Sequence, residues 1–237
     1  MNEHIVTAFD EELKSLGELV AEMGGLCEKA MADSVSALLA VDHDRAGRVI
    51  AADARIDRLQ QEIEERAIRT IAKRQPMGVD LREIVAALRV ANDLERIGDL
   101  AKNSAKRVVG LHGSFQPPKL AGGINHMSEL VLGQLKEVLD AYAQRDLERA
   151  MQVWNRDGAI DALYTSLFRE LLTYMMEDPR NIGFCTHLLF CAKNIERIGD
   201  HATNVAETIH FLIAGHPLTD ERPKQDETAG MTLEVGN

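Results

Sequence analysis

The chain is poor in aromatic residues, which make up 4% of it, and has only six prolines in 237 residues. Sheets favour aromatic and β-branched side chains, whereas the Ala, Leu, Glu and Arg abundant here favour helices. The shortage predicts an all-α protein. Cysteine is scarce as well. Cys27, Cys185 and Cys191 are odd in number and form no C-x-x-C pair, which argues against a disulfide framework and for a reducing compartment. They read as small buried hydrophobes. Positive charge is in deficit, with 27 basic against 38 acidic residues and a net charge of −11. Such a surface repels phosphate backbones, so a general nucleic-acid binder is excluded and cations or basic partner surfaces are favoured. Long hydrophobic runs are missing too. No uncharged stretch is longer than NIGFCTHLLFCA at 181–192, which is too short to span a bilayer. The N-terminal MNEHIVTAFDEEL is acidic where a secretory signal is basic, and a cytoplasmic protein is expected. No Gly-rich phosphate loop, G-x-S-x-G elbow or zinc-finger spacing occurs.

What the chain does contain is written twice. NDLERIGDLAKN at 92–103 returns as KNIERIGDHATN at 193–204, and DHDRAGRVIAADARID at 42–57 lies over DLERAMQVWNRDGAID at 146–161. The period is too long for a solenoid and suits duplicated domains. Apolar residues recur at helical spacing through about 5–40, 43–74 and 79–110, and again through about 123–144, 146–177 and 182–213. Breaks fall near VDHD, RQPMG, GLHGSFQPPKLAGG, QRD and EDPRN. Two tandem antiparallel three-helix bundles follow, over 1–113 and 122–215, with 216–237 read as a disordered tail because it is polar and punctuated.

The acids of the repeated segments fall in unexpected places. At about 100° per residue, Asp99 lies about 40° from Glu95, within the stripe of Leu81, Ile84, Leu88 and Ala91. Arg82, Arg89 and Arg96 fall together on the flank expected to be wet. Glu196 and Asp200 share a face with Ile182, Cys185, Leu189 and Ala192, and Glu207 extends it. Asp53 and Asp57 lie among Ala46, Val49, Ile50, Ala67, Ile68 and Ile71; Asp157 and Asp161 lie among Ala150, Val153, Trp154, Tyr164, Phe168 and Leu171. Like charges at i, i+4 oppose each other, and unpaired burial costs several kcal/mol per ion, so a counter-charge is required. Hard divalent or trivalent cations held by oxygen ligands supply one. The metal candidates are therefore Asp53, Asp57, Glu95 and Asp99 in the first half and Asp157, Asp161, Glu196 and Asp200 in the second. The ion is iron, zinc, manganese or magnesium, singly or as a multinuclear cluster. Asn103 and Asn204 either add a carbonyl oxygen or only cap the stripe. The competing reading is that lysines and arginines answer the acids, since Lys102 and Lys106 lie on the Glu95 stripe.

His201 reads as a surface or packing residue, and His187 with Cys191 as core. KRQP at 73–76 is a basic turn able to touch an acidic partner or simply to be solvated. A di-metal carboxylate enzyme is the alternative from another class. Such centres need E-x-x-H twice, whereas Glu207 and His210 form one copy and the matching residues are Lys106 and Val109.

These motifs resemble those of the PhoU family of phosphate-signalling regulators. Glu95/Asp99 and Glu196/Asp200 match the ERIGD form of its metal motif, and Asp53/Asp57 and Asp157/Asp161 its partner-helix form. EMGGL at 22–26, IAKRQP at 71–76 and TYMMED at 173–178 extend the likeness to all but the tail. The resemblance implies paired three-helix bundles with metal clusters and no enzymatic activity. It further implies a negative regulator of phosphate uptake and of the starvation response. Such a regulator would bridge the ATPase subunit of the phosphate ABC transporter and a sensor histidine kinase, meet the membrane only through those partners, and form a homodimer.

Overall fold

The computed structural model describes residues 2–111, 118–220 and 222, the side chains of 2–7, 118 and 119 excepted. Its long helices are α1 (Asn2–Ala40), α2 (His43–Arg74), α3 (Gly78–Val109), α4 (Pro118–Gln144), α5 (Leu147–Asn155), α6 (Asp157–Glu177) and α7 (Ile182–Ala214). A 3₁₀ turn, Pro179–Asn181, leads into α7. No strand occurs among the described residues. Most of the expected tail, and the 112–117 part of the linker, lie outside them.

The duplication is visible in the turns. Val41 and Arg145 both take a left-handed conformation (φ 50° and 55°), and the amides of Asp42 and Asp146 each bond back to the carbonyl five residues earlier, Ala37 and Ala141, at 2.9 Å. This is the helix-ending loop in which two amides satisfy the orphan carbonyls of the last turn. The same two aspartates then open the next helix. Asp42 Oδ1 accepts from the Arg45 amide (2.8 Å) and Asp146 Oδ1 from the Arg149 amide (3.0 Å), satisfying amides that have no partner within the helix. Gln75, left-handed before Pro76, ends α2, and Gly215 (φ 83°) ends α7.

One difference interrupts the symmetry. The segment expected as a continuous helix over 146–177 breaks at Arg156 into α5 and α6. Gly158 stands there where the first half has Ala54, and glycine weakens a helix interior by about 1 kcal/mol.

Helices α1, α2 and α3 pack as one bundle, and α4, α5–α6 and α7 as the other. The bundles are fused, α3 lying along α7 and α1 along α4, so that a single apolar core runs through both. Of Arg82, Arg89 and Arg96, expected to form a wet flank, the fusion partly buries Arg82 and leaves the other two exposed. Arg82 packs beside Gly215 with its Nε buried, whereas Arg89, which stacks over the Phe211 ring at 4.4 Å, is exposed like Arg96. The stripe edges diverge as well, with Ile68 66% exposed and Leu81 and Ile182 also open to solvent. No helix among the described residues is long and apolar enough to cross a membrane.

Candidate metal centres

The repeated glycine of ERIGD sets the distance between the helices that carry the acids. A Cβ on Gly98 would come within 2.9 Å of Ile56 Cδ1 and 3.6 Å of Asp53 Oδ1; one on Gly199 would come within 3.2 Å of Ile160 Cδ1. Without a side chain at these positions, α3 approaches α2 and α7 approaches α6 closely enough for the carboxylates to face one another.

In the first half Asp53 is buried, while Asp57, Glu95 and Asp99 are half-buried around it. Burial, with Asp99 one turn away, pushes the Glu95 carboxyl above its usual range; burial and Asp53 do the same to Asp57. Lys102 sits between the two helices. Its ammonium donates to Asp53 Oδ2 and, at 3.0 Å, to Asp99 Oδ1, and these bonds hold it protonated well above the ordinary lysine range.

In the second half Asp157, Asp161 and Glu196 are all buried and Asp200 is half-buried. Asp157 Oδ1 accepts from the Thr203 hydroxyl at 3.0 Å. The Arg222 guanidinium reaches in from beyond α7, with Nε 2.8 Å from Asp157 Oδ2 and one terminal nitrogen 2.9 Å from Asp200 Oδ1. Lys193 donates to Glu196 Oε1 at 2.8 Å. Glu196 Oε2, however, is buried with no hydrogen-bond partner among the described residues, and burial pushes this carboxyl up despite Lys193.

The structure thus brings each predicted quartet together. It also places a protein cation within each, and among the described residues no three His, Cys, Asp or Glu side chains are set to hold a metal ion as they stand. The donors are hard carboxylate oxygens that suit a hard cation, and the orphaned Glu196 Oε2 is an acceptor still wanting one.

Comparison with known proteins locates these quartets within a recognised domain. The PhoU domain model matches twice, over residues 20–108 and 124–209. The chain belongs to the PhoU family. A relative from Rhizobium meliloti (strain 1021), a "Phosphate-specific transport system accessory protein PhoU homolog", is 61% identical over 95% of both chains. A homolog of the same name from Caulobacter vibrioides is 54% identical over 95% of this chain and 98% of its own. The crystal structure of PhoU from Pseudomonas aeruginosa superposes with a TM-score of 0.84 at 38% identity, covering 88% of this chain and all of that one. The phosphate transport system regulatory protein PhoU from Streptococcus pneumoniae gives 0.82 at 27% identity, covering 89% and 99%.

All eight carboxylates fall inside the two PhoU domains, whereas Arg222 lies outside both. Nothing in the helical periodicity marks Arg222, which occupies a segment read as tail. Sequence reasoning also passed over Asp93. Its Oδ1 takes His201 Nδ1 at 2.9 Å and the Asn204 amide at 3.2 Å, so His201 and Asn204 tie α7 to α3. Asn194, the counterpart of Asp93, donates to Ser104 Oγ at 3.2 Å on the same interface. Asn103, by contrast, is exposed. Glu207 of the single E-x-x-H accepts from Trp154 Nε1 at 3.1 Å, while the His210 ring packs edge-on against His216. The three cysteines are free and buried as expected.

Proposed function

We propose that this protein is a metal-binding helical adaptor, not an enzyme, that negatively regulates phosphate uptake and phosphate-starvation signalling. The observation that carries the functional half is the near-full-length match to proteins named as phosphate-specific transport accessory proteins. The metal half rests on eight carboxylates converging as two quartets, one of them with a buried oxygen that has no hydrogen-bond partner. Asp53, Asp57, Glu95 and Asp99 would hold one ion or cluster, and Asp157, Asp161, Glu196 and Asp200 the other. The ion is a divalent or trivalent cation such as iron, zinc, manganese or magnesium. It would supply the counter-charge that four neighbouring carboxylates need, and so rigidify each pair of helices.

In this reading the protein is cytoplasmic and dimeric. It links the ATPase subunit of the phosphate ABC transporter to the sensor histidine kinase, without touching nucleic acid, and reaches the membrane only through those partners. A strain lacking the gene should express its phosphate-uptake genes in phosphate-rich medium, measured as transcript level. Normal repression in that strain would refute the regulatory role.

A further inference from the structure

The two quartets are neutralised at the same place by cations from different parts of the chain. Lys102 bridges Asp53 and Asp99. Arg222 bridges Asp157 and Asp200, their counterparts in the duplicated unit. The reason is visible at one aligned position: where the first copy has Lys102 within α3, the second has Thr203 within α7, a hydroxyl that donates to Asp157 but brings no charge. The second quartet is the more deeply buried and so has the greater need of a counter-ion. Arg222 meets that need from outside the helices, through bonds to both oxygens of Asp157, to Asp200 Oδ1, to the Asp200 carbonyl (3.1 Å) and to Asn204 Oδ1 (3.4 Å).

A cation on a helix and a cation on a tether differ in what their displacement does. Lys102 is one turn from Asp99 on the same helix, so it stays beside its quartet whatever else binds. Arg222 is 22 residues from Asp200 in sequence and follows the end of α7, so once it loses its carboxylates no helix holds it beside the quartet. A metal ion at the second quartet needs the same oxygens of Asp157 and Asp200 that Arg222 holds.

We propose that Arg222 is a tethered counter-ion of the second quartet, displaced when a metal cation binds there, so that occupancy of this one site undocks Arg222 from α6 and α7. The inference rests on the reading of the quartets as metal sites. It makes the two sites inequivalent: metal at the first leaves Arg222 in place, and metal at the second frees it.

The test uses the full chain, stripped of metal, with Mn²⁺ as the probe. Calorimetric titration of Arg222→Ala should show one class of Mn²⁺ site tightened about tenfold or more, because the apparent affinity of a site blocked by a charge-assisted pair is its intrinsic affinity multiplied by the small fraction of time it is open. Asp157→Asn combined with Asp200→Asn should abolish that gain, assigning it to the second quartet. In parallel, Mn²⁺ should speed tryptic cleavage after Lys224 in the parent, while Arg222→Ala should be cut quickly with or without the ion. Equal Mn²⁺ affinities in parent and variant, with cleavage unchanged by the ion, would overturn the tether and leave the metal sites standing. No Mn²⁺ binding to either protein would overturn both.

Discussion

Glu196 is a buried carboxylate that its neighbours satisfy only in part. It is 4% exposed, one of its oxygens has no hydrogen-bond partner, and Lys193 pairs only the other. Without metal, such a carboxylate opposes folding at neutral pH, because its raised pKa means the folded state favours the protonated form. Glu196→Gln should therefore raise the melting temperature of the chelator-treated protein by a few degrees, about 2–4 °C per kcal/mol for a chain of this size, while lowering its metal uptake. A variant that melts lower in chelator would contradict the charge argument. Gly98 is the second decisive residue. A valine there would press on Ile56, itself buried, and overpacking of this kind costs about 1–3 kcal/mol. Gly98→Val should lower the melting temperature and also weaken metal binding at the first quartet, since it moves α2 away from α3; unaltered metal affinity would mean that helix spacing does not set the site.

At the scale of elements, α1 is tied to the end of α2 by Glu12, which receives Arg74 through two nitrogens at 2.9 and 3.0 Å and Lys73 at 2.9 Å. Arg74 first, then Lys73, hold the Glu12 carboxyl down to about 2 from an ordinary 4.5. A depressed carboxylate stabilises the fold above its unfolded pKa, and that contribution disappears as pH falls through the folded one. Glu12→Gln should therefore cost no more than about 1 kcal/mol at pH 7, since water and salt screen a pair this exposed. The difference between the two proteins should close between pH 4.5 and about 2, as read from urea unfolding at each pH. The basic KRQP turn is thus partly engaged within the chain. Element boundaries were legible in the sequence wherever local chemistry sets them. Asp42 and Asp146 announce helix starts, and Pro76 forbids continuing α2. The break at Arg156 was signalled only by Gly158, a residue that many helices tolerate.

For the whole molecule, the duplication and the apolar period were enough to place both bundles and to predict which carboxylates meet. Each of those features is encoded within one helix or one pair of adjacent helices. The fusion of the bundles was not legible, because it depends on which outer face of α3 meets α7. Arg82 looks like a solvent-facing residue on a wheel, and Asp93 and His201 look like surface polar groups, until the second bundle covers them. Arg222 was beyond reach for the same reason, since its partners are 65 and 22 residues away and no period relates them. The quartets are acidic clusters that the chain neutralises only in part, in a protein of net charge −11. The decisive measurement is elemental analysis of protein purified without chelator or affinity-column metal. It should be set beside a variant with Glu95, Asp99, Glu196 and Asp200 all changed to alanine and its helicity checked by circular dichroism. Bound metal in the parent and its loss from the folded variant is the predicted result. Metal absent from the parent even after incubation with excess iron, zinc or manganese would contradict the account.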